Sequence, residues 1–117
     1  MSRERRGILI SFSVKTENFV SNGERTKFFK SLYGWTQTVP KGDKEYTYRR
    51  EGVLDDMPHM KVDQSSFIVP ENNFAEITDF FDEWHNKVMW KTFKVLLDRE
   101  TKDIFDEFEQ EFEDDDE

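Results

Sequence analysis

Residues 7–15 alternate without a break. Ile8, Ile10, Phe12 and Val14 fall on one side of an extended backbone, and Leu9, Ser11 and Ser13 fall on the other. A period of two belongs to a strand, and this one has a single deeply buried face. A second segment carries the other period. Phe74, Ile77, Phe80, Phe81 and Trp84 recur at helical spacing, with Glu76, Asp79, Asp82 and Glu83 on the opposite side. That defines an amphipathic helix, which Asn86 can close. A chain holding both must bury a sheet face under helices.

The remaining signals fill in the order. Ser21-Asn22-Gly23-Glu24 fits a capping box and opens a short helix to Tyr33, with Phe28, Phe29 and Leu32 apolar and Gly34 as its stop. Residues 35–39 and 44–50 predict a hairpin around the turn Pro40-Lys41-Gly42-Asp43. Residues 52–58 read as a loop. Residues 60–69 read as one extended segment, strongest at Ser66-Phe67-Ile68-Val69 and ended by Pro70. Asn73-Phe74-Ala75-Glu76 is a second capping box. Residues 87–97 are extended in composition, and Asp98 caps a last helix in which Ile104, Phe105, Phe108 and Phe112 keep helical spacing. Residues 113–117 read as a disordered acidic terminus.

The order predicts an α+β chain: a ferredoxin-like βαββαβ sheet with an extra central hairpin and a C-terminal amphipathic helix. The expected division is a single domain over 1–101 and an acidic helix or tail over 102–117. Two helices are expected on one sheet face. The other face is then open or buried against a second copy.

Composition narrows the classes. The chain has 117 residues and no cysteine, which excludes disulfides, iron–sulfur clusters and Cys-ligated zinc. Hydrophobic residues make up 35% and aromatic residues 15%, so the core is small and filled by rings. The longest apolar runs, such as Val95-Leu96-Leu97, are far shorter than the roughly 20 residues of a membrane span. The opening Met-Ser-Arg-Glu-Arg-Arg leads into an alternating strand rather than a signal peptide. A cytoplasmic protein with no membrane partner is expected. The formal net charge of −9 is not evenly spread. Residues 102–117 carry ten acids and one base, while acids and bases balance over 1–101. The acidity belongs to the tail, so it does not argue against nucleic acid as a partner of the body.

Four groups of residues could carry chemistry. Asp55, Asp56, His59 and Asp63 lie in or beside one loop and could hold a divalent ion; the alternative is a solvated loop. His85, near a helix C-terminus, reads as a dipole partner rather than a catalyst. The third is a basic–aromatic set: Arg3, Arg5 and Arg6; Lys27 and Lys30; Lys44, Tyr46, Tyr48, Arg49 and Arg50; Lys87, Trp90, Lys91 and Lys94. Rings beside cations on a sheet hold single-stranded nucleic acid, although lysines also guard sheet edges. The fourth is the Phe-studded acidic tail. It can dock as an amphipathic helix, recruit a protein, or mimic nucleic acid and cover the basic face. No nucleophile–base pair and no phosphate-cradling loop stand out, so no catalytic residue and no cofactor are expected.

The layout over about three quarters of the chain resembles the Cas2-like branch of ferredoxin-like proteins. The stretches that carry the resemblance are 8–14, 27–34 with Leu32-Tyr33-Gly34, 65–69 and 74–84. It implies a homodimer that contacts nucleic acid. The nuclease members of that branch carry an aspartate near the end of the first strand, where this chain has Ser11 and Ser13, so nuclease chemistry does not carry over. A short acidic chain of this order is also similar to small archaeal proteins, which implies no activity. The expected function is a non-enzymatic dimeric interaction module that binds nucleic acid or a protein partner. The dimer is expected because Trp35, Tyr46, Tyr48, Trp90 and Phe93 exceed what two short helices can cover. The rival is a metal-dependent, nuclease-like enzyme using the loop from Asp55 to Asp63.

Overall fold

The computed structural model describes the backbone of residues 5–115 and the side chains of residues 5–110. The chain is α+β. Its elements are β1 (Arg6–Val14), α1 (Asn22–Tyr33), β2 (Trp35–Lys41), β3 (Lys44–Arg50), β4 (Met60–Asp63), β5 (Ser66–Pro70), α2 (Phe74–Asp82), β6 (Val88–Leu96) and α3 (Arg99–Asp115). No helix among the described residues is long and apolar enough to cross a membrane. The chain divides into two compact units: Phe19–Asp56, and the residues on either side of that segment.

The larger unit holds a four-stranded antiparallel sheet in the order β4-β5-β1-β6. The alternation of β1 does what it predicts, burying Ile8, Ile10 and Phe12 on one face while Ser11 and Ser13 stay exposed on the other. Phe67 and Val69 of β5 join the buried face. Helix α2 lies on that face. Its Phe81 ring sits 5.5 Å from Phe12, 6.3 Å from Phe67 and 5.4 Å from Trp90. Ile77 and Phe80 are buried beside it. Aromatic pairs at these separations add to the free energy of area burial, which is how so few apolar residues close a core. The second capping box does not form. Asn73 makes no side-chain capping bond, and a 3₁₀ turn over Glu71–Asn73 leads into the helix instead.

Three expectations are corrected here. Residues 60–69 are not one extended segment but the hairpin β4–β5. No glycine or proline marks its turn. The Asp63 carboxylate does the work, accepting hydrogen bonds from the Ser65 amide and the Ser66 hydroxyl, each at 2.8 Å. The reverse face of the sheet is not wholly open either, because α3 roofs its β4 side. Asp98 caps α3, accepting from the Thr101 amide at 2.8 Å. The Thr101 hydroxyl lies 3.0 Å from the Met60 sulfur, and Phe105, one turn on, is fully buried. Met60 is in register with Ile68, and Ile68 with Leu9, all on the reverse face. Arg5 stands over the Phe105 ring and donates to Asp106 and Glu109. Burial alone would lower the Arg5 pKa; the hydrogen bonds it donates to Glu109 and Asp106, with their charges, outweigh it and hold the guanidinium above its ordinary value. Third, the segment expected to be disordered is helical as far as Asp115; residues 116 and 117, like Arg3, lie outside the described residues, as does the side chain of Phe112.

The smaller unit pairs α1 with a two-stranded ribbon, β2–β3. The first capping box forms with a shift of one residue. The Glu24 amide donates to Ser21 Oγ at 3.2 Å, while the Glu24 carboxylate accepts from the Val20 amide rather than that of Ser21, at 2.9 Å. Gly34 ends α1 at φ 78°, its amide bonded to the Lys30 carbonyl. The ribbon turn is tighter than predicted. Lys41 pairs with Lys44, leaving only Gly42 and Asp43 in the loop, with Gly42 at φ 63° as a type II′ turn requires. Pro40 and Lys41 therefore belong to the strand.

Candidate functional site

The ribbon register decides which side chains share a face. Trp35 lies opposite Arg50, Gln37 opposite Tyr48, Val39 opposite Tyr46, and Lys41 opposite Lys44. In an antiparallel pair, directly opposed residues project to the same side. One face therefore gathers Trp35, Tyr46 and Tyr48 with Lys41, Lys44 and Arg50. Lys30 joins from α1, its ammonium 3.9 Å from the centroid of Trp35. Among the described ribbon residues no carboxylate shares this face: Glu45 pairs with Pro40 on the other one, and Asp43 sits in the turn. Every residue of β3 is exposed, with Tyr46 and Tyr48 at 43% and 41%.

The face is partly organised already. Arg50 donates to the Gln37 side chain at 2.7 Å and lies 5.6 Å from the Tyr48 centroid. Such cation–π and amide contacts hold the guanidinium flat beside the ring without neutralising it.

The other residues of the predicted basic–aromatic set lie elsewhere. Arg49 is on the opposite ribbon face. Its guanidinium donates to the Tyr33 carbonyl at 2.8 Å and to Asp55 at 2.8 and 3.0 Å, and Asp55 also accepts from the Gly52 amide at 2.7 Å. That network closes the base of the ribbon onto the end of α1. Trp90, Lys91 and Lys94 belong to β6, in the other sheet. Trp90 packs on Phe81, Lys91 projects from the reverse face beside Ser11, and Lys94 is 3.5 Å from Glu71. Composition joins these groups with β3; strand membership separates them.

The loop acids do not gather. Asp55 is held by Arg49, Asp63 by Ser65 and Ser66, and the His59 Nδ1 lies 3.1 Å from the Met57 carbonyl. Among the described residues no group of three or more His, Cys, Asp or Glu side chains could hold a metal. His85 is exposed, with its Nδ1 3.0 Å from the Asp82 carbonyl just past α2.

Sequence reading underweights two members of the ribbon face. Lys41 reads as part of the turn Pro40-Lys41-Gly42-Asp43, and Trp35 reads as surplus apolar surface. The signal that would place both is the two-residue Gly42-Asp43 loop, which fixes the register of everything before it.

No family model, no curated protein and no solved structure matches this chain. The geometry of the ribbon face thus stands by itself.

Proposed function

We propose that this protein is a binding module that holds single-stranded nucleic acid on the basic–aromatic face of the β2–β3 ribbon. The observation that carries this reading is the composition of that face: three rings and four cations, with no carboxylate among the described ribbon residues, on a ribbon whose second strand buries nothing. A lone two-stranded ribbon is marginal as a stabilising element, so residues spent on one serve something outside the chain's own core. Tyr46 and Tyr48 stand about 7 Å apart along the strand, enough for a base against each ring. Lys41, Lys44 and Arg50 supply charge for the backbone.

The fold that accompanies this reading is ferredoxin-like. With the ribbon set aside, the strands of the sheet run second-third-first-fourth, with α1 between the first and second and α2 between the third and fourth in sequence. That connectivity supports a βαββαβ reading. The ribbon is an insertion after α1.

Titration of fluorescently labelled oligothymidine and oligouridine tests the proposal. Saturable binding at low salt is expected, with a log–log salt slope near about −2 for three phosphate contacts to a single strand. The double variant Tyr46→Ala/Tyr48→Ala should bind roughly tenfold or more weakly, since each stacked base contributes about 1–3 kcal/mol, while melting like the parent. Absence of binding at low salt, or a double variant that binds as tightly as the parent, would overturn it.

A further inference from the structure

The two edges of the four-stranded sheet are built differently. β4 is four residues long, and its register with β5 shifts between Lys61 and Asp63. Short length, a bulge and an acid are the devices by which edges avoid further pairing. β6 has none of them. Its nine residues pair with β1 without interruption, from Arg6 with Leu96 to Val14 with Val88. Its other side carries no strand among the described residues. Met89 and Phe93 on it are about half exposed, at 52% and 50%.

The flanking hydrogen bonds fix which residues point outward. The Lys15 amide donates to the Lys87 carbonyl at 2.7 Å, and the Leu97 amide to the Arg5 carbonyl at 2.9 Å. Odd-numbered residues therefore turn their backbone groups toward β1, and Trp90, Thr92 and Lys94 turn theirs away. The Val88 amide is already bonded to the Trp84 carbonyl, so the free donors centre on 90–94.

We propose that this edge pairs with the same edge of a second copy of the chain, antiparallel, about a two-fold axis through Thr92. Thr92 is the midpoint of β6, so only this axis engages the whole strand. Outward-facing residues then oppose one another, as hydrogen-bonded pairs must: Thr92 meets Thr92 of the second copy, and Trp90 meets its Lys94. On the reverse face Lys91 meets Phe93 and Met89 meets Val95. Each lysine faces a ring and none faces a lysine. An axis through Lys91 or Lys94 sets lysine on lysine, and any other shift shortens the paired length. The lysines that would guard this edge against unlike strands are matched to rings only in a self-pairing. The result is one continuous eight-stranded sheet with the bulged β4 edges outermost. This inference stands apart from the nucleic-acid reading.

The absence of cysteine makes the test clean. Directly opposed hydrogen-bonded residues have Cα atoms about 5.5 Å apart, within disulfide range, whereas two copies of residue 94 would lie about 14 Å apart. The parent chain should sediment as a dimer at micromolar concentration. Under mild oxidation Thr92→Cys should form a disulfide-linked dimer roughly tenfold faster than Lys94→Cys, because only the former meets the geometry. A monomeric parent, a Lys94→Cys variant that links as readily, or a dimer in which Thr92→Cys does not link would each overturn the proposal.

Discussion

The sheet and the ribbon are both antiparallel and both rich in rings, yet they spend those rings in opposite ways. In the sheet, Phe12, Phe67 and Phe81 meet one another in the core, and Phe67 and Phe81 have no exposure at all. In the ribbon, Tyr46 and Tyr48 stand in solvent beside cations, and β3 buries no residue. Burial is where a domain of this size finds its stability. The comparison teaches that ring content by itself says nothing about role. What separates core from surface is whether a second element faces the ring, and in the ribbon none of the described contacts of β3 buries one.

The comparison breaks first in the core. Phe81→Ala or Phe67→Ala should cost about 3–5 kcal/mol, read from urea or thermal unfolding, because each leaves a cavity among packed rings. Tyr48→Ala should stay within about 0.5 kcal/mol of the parent, as an exposed substitution does. If the two costs were similar, the ribbon would be part of the core and its proposed role would fall. A middle-sized effect belongs to Gly34. At φ 78° it sits where L side chains are strained, and a Cβ there would meet Asp55 Oδ2 at 2.6 Å and the Arg50 carbonyl at 2.7 Å. Gly34→Ala should cost about 2 kcal/mol or more. It should also weaken oligonucleotide binding, because the Arg49–Asp55 network that closes the base of the ribbon must shift.

Those contrasts also mark what the sequence makes legible. The strand at 6–14 and the helix at 74–82 are plain because a one-sided burial prints its period directly into the order of residues. The cap of α3 is plain because Asp98 needs only its neighbour Thr101. The β4–β5 turn is hidden because Asp63 replaces the glycine or proline that normally marks one, and its work is done by a side chain. The roof over the reverse face is hidden for another reason: Arg5 meets Phe105, and Met60 meets Thr101, across more than forty residues, and no local pattern reports that. The candidate site was half legible. Lys44, Tyr46, Tyr48 and Arg50 are named by alternation alone, but Arg49, next in the chain, turns to the other face and is consumed by Asp55. Trp90, Lys91 and Lys94 share the same chemistry as β3 and lie in a different sheet, a distinction that only hydrogen-bond partners draw.

The smallest expected effect concerns acid, and it sharpens the contrast because the three carboxyls that hydrogen bonds hold below their ordinary pKa lie in the larger unit. Hydrogen bonds from the Ser65 amide and the Ser66 hydroxyl hold Asp63 below its ordinary pKa, bonds from Thr101 do the same for Asp98, and a bond from Lys102, with a smaller one from Arg5, does so for Asp106. A carboxyl whose folded pKa is depressed contributes stability that is present above its unfolded value, near about 4, and is lost as pH falls through the folded value. Stability should therefore be flat from neutral pH down to about 5 and decline below about 4. Asp63 and Asp98 are exposed and the Asp106 side chain is 40% exposed, so solvent screens the effect and the decline is shallow. Asp98→Asn keeps a side-chain acceptor at the helix cap and removes the titration, so it should flatten part of that decline while leaving neutral-pH stability nearly unchanged. Oligonucleotide binding by the ribbon should follow a different course. None of these three carboxyls belongs to the ribbon, so affinity measured where the fold is intact, between pH 5 and 8, should stay level. An affinity that rose steeply on acidification within that range would show that a group outside the ribbon face sets the affinity.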